Sequence, residues 1–169
     1  RLQGDWSSDV CSSDLLLLLL VVPTLRAAEW LPIEHQVAEL TKSQRVTVVH
    51  FWASWCPNCR AELVGGGWSK FVAANREVDF VFITVRDEKA GAPELAKFGL
   101  GPQPNFRHLQ HPNTSRRKED EMTSFMGMRV GWIPATWVFQ NGRLRYALNY
   151  GQIRFPILQQ LVEDARPRP

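Results

Sequence analysis

Two cysteines, two residues apart, stand where an apolar strand gives way to a helix. No other feature of the chain constrains its fold as much. The stretch from Val46 to Leu63 reads VTVVHFWASWCPNCRAEL. Arg45 to Trp52 is β-branched and aromatic with a polar flank before it, which reads as a buried strand. Pro57 suits the first helical turn, where a missing N–H costs nothing. Cys56 therefore stands at a helix N-terminus, whose free N–H groups and partial positive charge stabilise a thiolate. Cys59 follows one turn later on the same side, placed to attack a mixed disulfide at Cys56.

Three other uses of the pair stay open on the residues alone. A zinc site needs about four ligands. His108 and His111 would have to complete it, and they lie far along the chain at poor spacing. An inert structural disulfide gains little from closing so short a loop. A one-cysteine nucleophile of hydrolase type lacks a convincing His/Asn partner pattern.

The third cysteine, Cys11, lies in a suspect segment. Asp5 to Leu15, DWSSDVCSSDL, resembles the translation of a common sequencing adapter, so residues 1–15 are expected to be artefact. Leu15 to Val22 is an apolar run broken by Pro23, with small residues at Ala27 and Ala28. A membrane-spanning helix needs roughly 20 apolar residues and a signal-peptide core about 7–15. Residues 16–28 are therefore expected to be the remnant of an export signal. An uncleaved signal would leave a membrane anchor. With Cys11 set aside, only Cys56 and Cys59 remain, too few for a disulfide-stapled secreted scaffold.

The 169 residues suit one domain, expected over 29–165 with a 166–169 tail. The net charge of +3 is scattered, and the SRRKEDE run at Ser115 to Glu121 is mixed in sign, as a solvated face would be. That disfavours nucleic acid as a partner. Neither a Walker loop nor a GxGxxG appears.

Helices are expected over Trp30 to Leu40, from the cysteine pair to about Asn75, Pro93 to Phe98, Glu119 to Met128 and Ile153 to Ala165. Strands are expected over Val78 to Val85, Asn105 to Leu109, Pro134 to Phe139 and Arg143 to Leu148. Asn141-Gly142 joins the last two as a hairpin, since both residues tolerate positive φ. Alternating strands and helices followed by a hairpin predict an α/β fold, a mixed central sheet with helices on both faces.

VVHFWASWCPNCRAEL resembles the active-site strand and helix of the thioredoxin superfamily, and VGWIPATWVFQNGRL resembles its second signature. Within the superfamily the chain is most similar to the exported TlpA/ResA-like thiol–disulfide oxidoreductases. Glu62, three residues after Cys59, matches the acid these proteins carry. Asp87 to Met128 would supply their insertion before the cis-proline loop.

The resemblance implies a thioredoxin-like fold and assigns roles. Cys56 attacks, Cys59 resolves, Pro134 is a cis proline opposite the pair, and the backbone of Ile133 pairs with a bound peptide. Glu62 would shuttle a proton for Cys59, or be a solvated helix carboxylate. His50 occupies the position of the buried acid of thioredoxins; it is either a satisfied core residue or a proton carrier. Trp52 is structural, and Trp55 forms an apolar lip or a substrate contact. Pro57 and Asn58 are neither the usual thioredoxin dipeptide nor that of strong oxidants. The resemblance further implies a reductase of protein disulfides in the periplasm or cell envelope, acting as a monomer. It would be kept reduced by a membrane electron-donor thiol protein and need no cofactor beyond the redox-active disulfide. An oxidase or isomerase of the same fold and a metal-binding module remain alternatives.

Gly65-Gly66-Gly67 conflicts with a continuous helix, since each glycine costs roughly 1 kcal/mol against alanine. A kink or break is expected there, with the helix resuming over Trp68 to Ala74.

Overall fold

The chain is organised around one strand. In the computed structural model, which describes residues 29–87, 91–149 and 151–167, all six residues of β1 (Thr47–Trp52) are buried. β1 pairs in parallel with β2 (Asp79–Thr84), and β2 in parallel with β3 (Phe106–Gln110). On its other side β1 pairs antiparallel with β6 (Ala135–Gln140), and β6 with β7 (Arg143–Leu148). The sheet order is β3-β2-β1-β6-β7, the expected mixed sheet. β6 and β7 are joined by Asn141 (φ 49°) and Gly142 (φ 71°), both left-handed as the two-residue turn requires.

Because side chains alternate along a strand, β1 serves two cores. Val48 and Trp52 pack with Trp68, Phe80, Phe82, Val138 and Leu158. Val49 and Phe51 pack with Val81, Ile83, Phe125, Trp137 and Phe139. α1 (Pro32–Thr41) contributes Ile33 and Val37 to the second core. Its first turn is closed by Glu34, which accepts the Leu31 N–H at 2.6 Å. α5 (Phe155–Ala165) contributes Leu158, Val162 and Ala165 to the first.

α2 (Pro57–Leu63) ends at the glycine run, as expected, and a 3-10 turn over Val64–Gly66 follows. α3 (Gly67–Ala74) then starts on a new axis. Gly65 (φ 79°) and Gly66 (φ 71°) occupy the left-handed region that costs other residues strain. Gly67 answers a different need. A Cβ there would come within 2.4 Å of the Phe155 ring, so the glycine lets α5 approach.

α4 (Gly91–Lys97) and the edge strand β3 come from the segment expected to be an insertion. The helix expected over Glu119 to Met128 does not form. A 3-10 turn at Lys118–Asp120 leads into a small hairpin of β4 (Ser124–Phe125) and β5 (Met128–Arg129). Met126 (φ 51°) and Gly127 (φ 72°) make its turn. The apolar spacing of Met122, Phe125 and Met126 imitates a helix face. The Met-Gly pair nonetheless favours a turn, and tertiary burial of Phe125 against Phe51 and Trp137 fixes it. The adapter-like segment with Cys11 and the export-signal remnant lie outside the described residues. No helix among the described residues is long and apolar enough to cross a membrane.

Candidate active site

Cys56 is the N-cap of α2. Its sulfur accepts the Cys59 backbone N–H at 3.3 Å, so the helix terminus points a donor at it. Both cysteines are free thiols and both are buried, at 5% and 1% exposure, with Cys56 the more accessible. On the other side, the Cys56 thiol donates to the Ile133 carbonyl at 3.6 Å. The Ile133–Pro134 bond is cis. Asn58 and Ile133 line one open groove with the exposed Trp132 and the segment from Gly151 to Arg154.

Behind the cysteines lies a buried polar cluster. Glu62 is 5% exposed and His50 is 1% exposed, so neither is a solvated side chain. His50 Nε2 lies 3.3 Å from Glu62 Oε2. The same oxygen accepts the Trp68 indole N–H at 3.1 Å, and Oε1 accepts the Ile153 backbone N–H at 2.6 Å. His50 Nδ1 lies 2.9 Å from Thr136 Oγ1. Register explains this contact: His50 of β1 is directly opposite Thr136 of β6.

Burial pushes the Glu62 carboxyl up to about 7, against the lowering effect of the Trp68 and Ile153 hydrogen bonds. Burial pushes His50 down to about 3, so its ring is neutral at physiological pH. The Cys59 thiol is pushed far up, chiefly by burial, then by its hydrogen bond with Cys56, with a smaller push from Glu62. A proton must therefore leave Cys59 before it can attack, and a carboxyl that titrates near neutrality stands in its electrostatic neighbourhood.

Trp55 is not simply an apolar lip. Its indole N–H donates to the Arg86 carbonyl at 2.7 Å, and the Arg86 and Arg116 guanidiniums lie 5.7 and 5.5 Å from the ring centre. Arg86 also donates to the Arg116 carbonyl at 2.6 Å, which ties the loop after β3 to the active-site turn. Asp87 accepts the Ser54 N–H at 2.8 Å and fixes the backbone just before the cysteines. None of these partners carries a motif. Arg86 stands at φ 53°, a conformation that nothing in its residue type signals.

The histidines of the metal alternative are engaged elsewhere. His108 Nε2 lies 2.8 Å from Thr84 Oγ1, and His111 Nδ1 accepts the Asn113 N–H at 3.1 Å. Among the described residues, no three His, Cys, Asp or Glu side chains are grouped to hold a metal ion.

The sequence profile of the thioredoxin-like domain matches residues 33–166. No curated protein sequence matches the chain. Solved structures are similar in fold. A thioredoxin-family thiol:disulfide interchange protein from Chlorobium tepidum TLS superposes with a TM-score of 0.53 at 20% identity, covering 77% of this chain and 85% of its own. A secreted disulfide oxidoreductase of Mycobacterium tuberculosis, homologous to E. coli DsbE, gives 0.52 at 23% identity, over 74% of this chain and 85% of its own. A DsbF homologue from Corynebacterium diphtheriae gives 0.52 at 15% identity, over 74% of each. The chain belongs to the thioredoxin-like domain family, and its Cys56 and Cys59 stand as two free thiols one turn apart at the start of α2.

Proposed function

We propose that this protein is a reductase of protein disulfides that works outside the cytosol. The observation that carries the dithiol chemistry is the position of the Cys56 sulfur, between the Cys59 N–H at 3.3 Å and the Ile133 carbonyl at 3.6 Å. Ionised Cys56 no longer donates to Ile133, whose carbonyl is then free to accept a substrate backbone N–H. The Cys56 thiolate attacks one sulfur of the substrate disulfide. A Cys56–substrate disulfide forms, and the other substrate sulfur leaves as a thiolate that takes a proton from water. Cys59 gives its proton to the Glu62 carboxylate and attacks Cys56. The second substrate sulfur leaves, the Cys56–Cys59 disulfide forms, and two electrons have passed to the substrate. A donor dithiol protein restores the pair by the reverse exchange.

The direction rests on resemblance to TlpA/ResA-like proteins, and the export reading on the apolar run before residue 29. Equilibration with a glutathione or dithiothreitol buffer series decides the direction. A midpoint on the thioredoxin side, below about −230 mV, is the expected result, together with reduction of insulin disulfides. A midpoint near −120 mV would make the protein an oxidant instead.

A further inference from the structure

Glu62 also lines a pocket whose wall holds neither cysteine. The pocket, of about 190 Å³, is lined by Glu62, Pro134, Thr136, Ile153 and Arg154. The segment from Gly151 to Arg154 lines both this pocket and the open groove that holds Asn58 and Trp132. The partners within the cluster then determine how a proton can sit on Glu62.

We propose that His50 is a positioning residue whose neutral ring changes tautomer whenever Glu62 gains or loses a proton, passing the change on to Thr136. Two of the groups facing Glu62, the Trp68 indole and the Ile153 backbone amide, can only donate. Ionised Glu62 accepts both, and His50 Nε2, 3.3 Å from Oε2, is placed to give it a third N–H. His50 Nδ1 then accepts the Thr136 hydroxyl proton. Protonated Glu62 needs an acceptor for its own O–H, and of these three partners only His50 Nε2 can be one. The ring proton must then sit on Nδ1 and donate to Thr136 Oγ1, which accepts as readily as it donates.

No buried polar atom of the cluster is left unpaired in either state, and no net charge enters the ring. Among the described residues, nothing else facing His50 competes. Trp68 from α3 and Phe82 from β2 present rings at 4.6 and 4.7 Å, and Glu62 and Thr136 hold its two nitrogens. Around Glu62 the further charged or titratable groups are Cys59 on its own helix and Arg154 on the pocket wall. An imidazolium would also satisfy both neighbours of the ring, but complete burial opposes it.

The inference uses the reading of Glu62 as proton acceptor, yet its test needs no substrate and is independent of turnover. In the ¹⁵N-labelled dithiol protein, long-range ¹H–¹⁵N correlations report which His50 nitrogen carries the proton. Nδ1–H is expected at pH 5 and Nε2–H at pH 9, with the change tracking the Glu62 carboxyl carbon near pH 7. A single tautomer throughout, or an imidazolium at pH 5, overturns the proposal. In His50→Leu the Glu62 midpoint is expected to move up by about one pH unit, because the ionised carboxylate loses a charge-assisted donor. His50→Gln, which can donate or accept, is expected to hold the midpoint near the original. An unmoved midpoint in His50→Leu, or an equal shift in both variants, overturns it as well. Should a variant fail to fold, the tautomer measurement on the unaltered protein decides.

Discussion

The two faces of one sheet have been used in opposite ways. On one face, His50 and Thr136 carry polar atoms into the interior, where Glu62 and the Trp68 indole meet them. On the other face, Val49, Phe51, Ala135, Trp137 and Phe139 are apolar, with Thr47 the one polar residue that β1 and β6 place there, and rings meet edge-on. The same strands, β1 and β6, contribute to both, so the difference comes from side-chain choice at alternating positions. Apolar burial stabilises by about 1.5–3 kcal/mol per large side chain. A buried carboxyl and imidazole gain little and become costly when any partner is lost. The polar face therefore adds little stability, and the apolar face supplies it.

Cys56→Ser is the severest test of this division. Dithiol turnover should fall to background in an insulin-reduction assay, while thermal unfolding changes by less than about 1 kcal/mol. A large loss of stability would mean that the reactive turn also holds the fold together. Phe125→Ala should do the converse. Phe125 is fully buried, with its ring centre 5.2 Å from that of Phe51. Its removal should cost about 3–5 kcal/mol in urea unfolding and leave the midpoint potential unchanged. A shifted potential with little change in stability would break the comparison.

Much of the polar face was invisible in the chain. The reactive turn was legible because it needs particular residues in sequence: a buried strand, a cysteine at a helix start, Pro57, and a second cysteine one turn on. Ile133-Pro134 was legible as a signature at a distance. Glu62 and His50 could be singled out as candidates, but not as one cluster. Their meeting depends on the tilt of α2 across β1. Thr136 reads as an ordinary strand residue, and Ile153 contributes only a backbone N–H, which no side chain announces. The glycine run showed that the helix must break. It could not show that Gly67 makes room for Phe155, 88 positions later. The misread segment, Glu119 to Met128, failed because apolar residues three and four apart fit a helix face and a buried hairpin equally well. The left-handed Met126-Gly127 turn decides it.

The smallest effect is also the most specific to the polar face. Glu62 binds its proton more tightly when folded, at about 7 against an ordinary 4.5. Between those values the native state holds more protons than the unfolded chain, so Glu62 makes stability fall as pH rises. His50 has the opposite sign. Its folded value is about 3 against an ordinary 6.5, so the unfolded chain holds more protons and stability rises with pH across that window. From pH 4.5 to 6.5 the two contributions run against each other and largely cancel. Each has a limiting slope of about 1.4 kcal/mol per pH unit. Glu62→Gln should uncover the rising slope relative to the unaltered protein, and His50→Leu the falling one, in urea unfolding at half-unit pH steps. The double variant should return to the profile of the unaltered protein. Two single variants with slopes of the same sign would mean that these groups do not share the protons their 3.3 Å separation implies.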